Sequence, residues 1–159
     1  ARCSPDGRLL GLDSLRDIVT FPGGCKKFIV RYDAVSRRYW SLTNWVPRRH
    51  KTYNVERVRN TLALIHSTDL HRWRIATVVL HHPDTAFHGF HYVDFDFDGN
   101  DLLVASRTAF DDGLGGAHNQ HDTNFLTFHR VRGFRHLGPA DAPDQLAPEI
   151  ESWNRRFSP

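Results

Sequence analysis

Phe90-His91-Tyr92-Val93-Asp94-Phe95-Asp96-Phe97 alternates with a period of two. On an extended backbone that pattern places His91, Val93, Phe95 and Phe97 on one face and Tyr92, Asp94 and Asp96 on the other. Asp98-Gly99-Asn100-Asp101 follows, a strong turn signal, and Leu102 to Thr108 returns as the partner strand. Asn124 to Val131 reads as the next strand, and Phe134-Arg135-His136-Leu137 as a short fourth.

Upstream, the same signals occur in the same order. Phe28 to Tyr32 is a short apolar run ended by the turn Asp33-Ala34-Val35-Ser36. Tyr39 to Trp45 reads as its hairpin partner, Asn60 to His66 as a third strand and Ile75 to Leu80 as a fourth. Four successive strands with short connections make a meander, and a twisted four-strand meander is one propeller blade. The expected fold is therefore all-β: a partial β-propeller of about two four-stranded antiparallel blades. Gly7 to Leu10 and Asp17 to Thr20 would be the remnant of a preceding blade. Residues 138–159 are polar and Pro-rich and read as a loosely held tail after the 1–137 propeller portion, with a short helix at Pro148 to Arg155. Trp153 and Phe157 are the tail residues expected to pack back on the body.

The chain has 159 residues, 40% hydrophobic, enough for one core. No apolar run is long enough to span a membrane, so no membrane association is expected. The net charge is +3, but the basic residues are scattered rather than striped, which argues against nucleic acid and is compatible with an anionic sugar polymer. Cys3 and Cys25 are too few for a disulfide framework and leave open a single bridge, two free thiols, or pairing with residues outside this chain. Met is absent even at the first position, from which the chain is expected to begin inside a longer reading frame or to have been processed.

Ser67-Thr68-Asp69-Leu70-His71-Arg72-Trp73 lies between the third and fourth strands of the first meander. A carboxylate at Asp69 can accept backbone N–H bonds inside a compact turn, and Trp73 can cover it. The stretch resembles a degenerate Asp-box, matching at Ser67, Asp69 and Trp73 and departing at the usual Gly and Thr. With Phe21-Pro22-Gly23-Gly24, Arg31 to Leu42, His88 to Asp94, Ser106 to Asp112 and Gly115 to Asp122, it makes residues 20–137 resemble bacterial sialidase-like (BNR/Asp-box) propeller proteins. The resemblance implies a propeller of five to seven blades, with the missing blades or self-association covering the exposed sheet faces. It also implies a carbohydrate partner and an extracellular or periplasmic location.

The richest candidate for chemistry is 107–122. Gly113, Gly115 and Gly116 lead into His118-Asn119-Gln120-His121-Asp122. Such a loop either lines a ligand funnel or is a self-bonded brace. His118, His121, Asp122 and His88 are the candidate catalytic residues, through imidazole proton transfer. The same four offer an alternative metal set, of unspecified metal. No cofactor is expected. Arg107, Arg59, Tyr92 and Asp94 are the candidate substrate-binding residues. Arg107 either pairs with Asp94 on the neighbouring strand or holds a sugar carboxylate with its planar fork. His91, on the apolar face, reads as a packed core histidine.

Three functions compete. A glycoside hydrolase of sialidase type leads, although the arginine cluster and Tyr/Glu pair of true sialidases are not matched. A polysaccharide lyase on uronic-acid polymers would use Arg107 with His118, His121, His88 and Tyr92. A non-catalytic sugar-binding module would stack Trp40, Trp45 and Tyr53 on sugar rings.

Overall fold

A computed structural model describes residues 1–23 and 26–157. Two antiparallel meanders account for most of the chain. The first contains β3 (Val30–Asp33), β4 (Arg38–Asn44), β5 (Thr61–Ser67) and β6 (Arg74–His81), paired in sequence order. The second contains β7 (Gly89–Asp98), β8 (Asp101–Ala109) and β9 (Phe125–Val131). Among the described residues before residue 30, a two-residue pairing of β1 (Arg2–Cys3) with β2 (Leu10–Gly11) is all the sheet that forms. Asp17 to Thr20 forms no strand, and Leu9, Leu10, Leu12, Leu15 and Ile18 are exposed. Cys3 is exposed, while Cys25 lies outside the described residues. The sheets are open, so the architecture is all-β with separate antiparallel sheets.

The two large sheets stack face to face. Trp40, Leu42, Leu62 and Leu64 of the first meet Phe90, Val93, Phe95, Leu102 and Val104 of the second around Phe134. Each such buried side chain contributes about 1.5–3 kcal/mol. The opposite face of the first sheet carries Ala63, Ile65, Ile75 and Val78, which pack on Trp73, Ala142, Leu146 and Ile150. Sandwiched between two layers, β4 and β5 are buried almost continuously rather than alternately.

The turn at 67–73 forms as its residues suggest. Asp69 Oδ1 accepts the N–H groups of His71 at 2.9 Å and Arg72 at 2.8 Å, and the Trp73 indole donates to the Leu70 carbonyl.

Two elements depart from the sequence reading. Phe134–His136 is a 3-10 helix, so the second sheet stops at three strands. Gly133, at φ 57, turns the chain out of the strand and drops Phe134 into the core against Trp40 and Phe97. The tail is also firmly seated. Its helix α1 (Ala147–Asn154) buries Ile150, and Asn154 docks on the outer strand β6. The Asn154 amide donates to the Ile75 carbonyl at 2.7 Å while its Oδ1 accepts the Ile75 N–H at 2.9 Å, replacing the missing strand neighbour.

Candidate functional site

Within β7 the two faces do not follow strict alternation, and the departure builds the site. The register with β8 slips between His91, opposite Arg107, and Asp94, opposite Ala105. Tyr92 and Val93 therefore share a single partner, a β-bulge, with Tyr92 held at φ 49. The bulge shifts side-chain parity by one. Phe90, Val93 and Phe95 all face the core, and His91 leaves it.

His91 is fully buried yet sits among cations and aromatic rings. Its ring lies 4.6 Å from Tyr92 and 5.5 Å from His121, nearly parallel to the latter. Among the described residues neither of its ring nitrogens meets a hydrogen-bond partner, and the same holds for Nε and Nη1 of Arg59. Buried polar atoms are normally paired, so four unpartnered nitrogens in one place call for an explanation. Burial, then the charges of Arg59, His121, Arg107 and Lys26, push the His91 pKa down to about 3. The imidazole is therefore neutral at pH 7.

Tyr92 is the centre of the cluster. The Arg107 guanidinium lies 5.2 Å from its ring centroid, Lys27 Nζ 5.3 Å and the Arg59 guanidinium 5.9 Å. Its hydroxyl approaches His121 Nε2 at 3.4 Å. His121 Nδ1 in turn faces Asp122 Oδ1 at 3.1 Å, so a proton on Nδ1 leaves the Nε2 lone pair toward the tyrosine. Asp122 is fixed from the other side by Asn119, whose amide donates to Asp122 Oδ2 at 2.6 Å. The hydrogen bonds from His121, the largest contributor, and Asn119, with the charges of His121 and His118, hold the Asp122 carboxyl below its ordinary range against the opposing effect of burial. A non-glycine residue in the left-handed region is strained, and such strain concentrates at functional positions.

Packing between the sheets sets this geometry. The buried Asn44 amide donates to the carbonyls of Phe90 at 2.7 Å and Arg59 at 3.1 Å, and Phe90 N–H donates to the Arg59 carbonyl at 2.9 Å. This knot brings the Arg59 loop against the start of β7. The loop carrying His121 arrives through Gly89: a Cβ there would stand 2.4 Å from the Gln120 carbonyl oxygen and 3.1 Å from Arg59 Cβ. Gly89→Ala is accordingly expected to push the 117–122 loop off β7. Thermal unfolding should show a loss of about 1–3 kcal/mol, and the ring contact between His91 and His121 should open.

Of the residues singled out from sequence, Arg59, Tyr92, Arg107, His121 and Asp122 converge here. Arg107 does not pair with Asp94: its Nε donates to Thr123 Oγ1 at 3.1 Å. Asp94 instead binds Arg31 at 3.0 Å, lining a separate groove of about 550 Å³ with Phe95 and Phe128. Asp94 stands opposite Ala105, two residues from Arg107 along β8, and each side chain has a nearer partner. His118 points elsewhere and lines a shallow depression with Tyr53, Arg57 and Phe87. His88 stacks on His82 beside Asp84, away from His118, so the metal set His118, His121, Asp122 and His88 does not assemble. Trp40 and Trp45 are buried and cannot stack on a sugar, whereas Tyr53 is exposed.

Sequence reading missed His91, Lys27 and Asn44. Strict alternation hid His91, because a bulge at a tyrosine carries no glycine to announce it. Nothing in the local sequence marks Asn44, whose role is wholly tertiary. Compared with known proteins, the chain matches no family model, no curated protein and no solved structure.

Proposed function

We propose that this chain binds a carboxylate-bearing glycan at the Tyr92 cluster and cleaves it by β-elimination. The buried nitrogens of Arg59 and His91, unpartnered among the described residues and beneath a ring flanked by three cations, carry this reading. A uronate carboxylate would satisfy Arg59 and Arg107 and lose its negative charge to them. Neutralised in this way, the sugar releases its C5 proton more readily. The Tyr92–His121 pair takes that proton; the C5–H electrons form the C4=C5 double bond, the C4–O4 bond breaks, and a proton returns to O4. Hydrolysis fits less well. It requires two carboxyl groups across the glycosidic bond, and Asp122 is the carboxylate in contact with the cluster, already engaged by His121 and Asn119.

The stacked meanders are read here as neighbouring blades of a larger sialidase-like propeller. Their sequential strand order and face-to-face core support this, as does the apolar surface of Leu103, Leu126 and Phe128 left exposed on the second sheet. The resemblance to sialidase-like proteins also supports an extracellular or periplasmic location.

The test incubates the chain with labelled oligouronides and with a neutral glucan. Salt-sensitive binding to the uronide alone, with ultraviolet absorbance from an unsaturated product, is the expected result. New reducing ends without that absorbance would replace elimination by hydrolysis. Binding without cleavage would reduce the chain to a recognition module. Equal affinity for both polymers would overturn the reading.

A further inference from the structure

The loop at residues 117–122 borders a second surface feature, which the Tyr92 site does not use. On its other side lies an open depression of about 380 Å³, the size of a small-molecule site. Its rim carries Tyr53 and Phe87, left 57% and 54% exposed, and the cation Arg57. Among the described residues Arg57 forms no ion pair. The backbone beneath Phe87 is pinned. Asp84 accepts the Ala86 N–H at 3.0 Å and the Phe87 N–H at 2.8 Å, and the Ala86 carbonyl accepts the Gln120 N–H at 2.8 Å. An aromatic face that stays in water on a fixed backbone offers a ligand a large contact area at little cost in lost freedom.

Two chain segments run from this depression into the Tyr92 site. Arg57 and Arg59 flank the buried Val58, whose backbone is extended. Arg57 borders the depression and Arg59 the Tyr92 ring, with their Cα atoms about 6.6 Å apart at two extended steps. On the opposite wall Asn119 and Gln120 line the depression, while the next two residues, His121 and Asp122, belong to the Tyr92 site. The walls meet at Gly89, against which both the Gln120 carbonyl and Arg59 Cβ lie. The two sites are therefore neighbours, each with its own arginine.

We propose, resting on the glycan reading of the Tyr92 site, that the depression is the adjoining subsite and binds the next uronate unit of the same polymer. The ring of that unit lies against Tyr53 and Phe87, and its carboxylate pairs with Arg57. Gln120 is the hydrogen-bonding group for its hydroxyls. A neutral sugar would leave Arg57 without a counter-charge, and a bare anion would leave the aromatic faces in water. The mixed lining thus selects an acidic sugar. Two arginines in succession read two successive carboxylates.

The experiment titrates the full chain with a methyl uronide and with the uronide trisaccharide, followed by NMR. All titrations use a Tyr92→Phe background, which keeps the ring and the cations but lacks the hydroxyl of the proton-taking pair, so that the ligand survives the measurement. The trisaccharide should bind at least about tenfold tighter than the single unit. Tyr53→Ala and Arg57→Gln should each weaken the trisaccharide at least about fivefold, the effect of truncating an anchoring side chain, and leave the methyl uronide unaffected. Arg59→Gln should weaken both ligands. Tyr53 and Arg57 are exposed, and an unchanged thermal midpoint verifies the fold of each variant. A trisaccharide without advantage, or one whose advantage persists in both variants, would overturn the subsite and leave the Tyr92 site standing. Binding of both ligands indifferent to Arg59→Gln would overturn the Tyr92 reading and the subsite with it. A neutral trisaccharide bound as tightly as the uronide would overturn the assignment of an acidic unit.

Discussion

Arg135→Ala is expected to destabilise the protein by about 3–5 kcal/mol, read from urea unfolding at pH 7. Arg135 joins the two sheets. Its Nε and Nη2 donate to the two Asp33 carboxylate oxygens at 2.8 and 2.9 Å, a bidentate pair, and its Nη1 donates to the Gly99 carbonyl at 3.0 Å. Both side chains are nearly inaccessible, so removing the guanidinium strands a buried carboxylate. That penalty exceeds the value of any exposed ion pair on the molecule. The Arg135 hydrogen bonds hold the Asp33 carboxyl well below its ordinary range, helped by the Ser36 hydroxyl and N–H and opposed by burial. The unfolded chain takes up a proton on Asp33 near pH 4 and the folded chain does not. The stabilisation is complete above that value and is lost as pH falls below it. In Arg135→Ala this acid-side loss should shrink, because the folded carboxyl returns toward its unfolded behaviour. An unchanged midpoint at pH 7 would show that the pair holds nothing together.

Arg59→Gln should separate binding from stability. A structural arginine destabilises when removed. Arg59 has buried Nε and Nη1 atoms without partners among the described residues, so its loss relieves an uncompensated charge and should leave the thermal midpoint unchanged or slightly raised. Oligouronide affinity should nevertheless fall by at least about 30-fold, as when one member of a desolvated charge pair is truncated. The neutral state of His91 carries a pH signature too. Its pKa lies below the unfolded value near 6.5, so the stability that it contributes is present above that pH and declines as pH falls toward about 3. An anion bound beside it favours the protonated ring and should draw a proton from solution, detectable as buffer-dependent binding heat in mildly acidic solution. A stability loss in Arg59→Gln with affinity unchanged would assign Arg59 to the scaffold.

The strands were readable because period-two alternation and the turn residues at 33–36 and 98–101 act locally. The order of meanders followed from the same signals. Side-chain parity before Tyr92 was not readable: a left-handed tyrosine depends on its neighbours, and the bulge reassigns Phe90 and His91 while Val93, Phe95 and Phe97 keep the face that alternation gives them. Continuous burial of β4 and β5 reports two packing partners, which alternation alone cannot reveal. The convergence of Arg59, Tyr92, Arg107 and His121 was only partly legible. Their residue types suggested anion handling, while Asn44 and Gly89, which bring them together, act through contacts more than 14 residues distant in sequence. The tail looked loose because its apolar residues are few, yet Leu146 and Ile150 are completely enclosed.

The seating of Asn154 on β6 bears on how the molecule can assemble. With the amide occupying both backbone groups of Ile75, that flank is closed to a visiting strand, whereas β9 has β8 as its sole neighbour among the described residues. β3 and β7 likewise have one strand neighbour each among the described residues, so the seat of Asn154 guards one of the four edges of the two large sheets. At that edge the C-terminal helix takes the place a visiting strand would need.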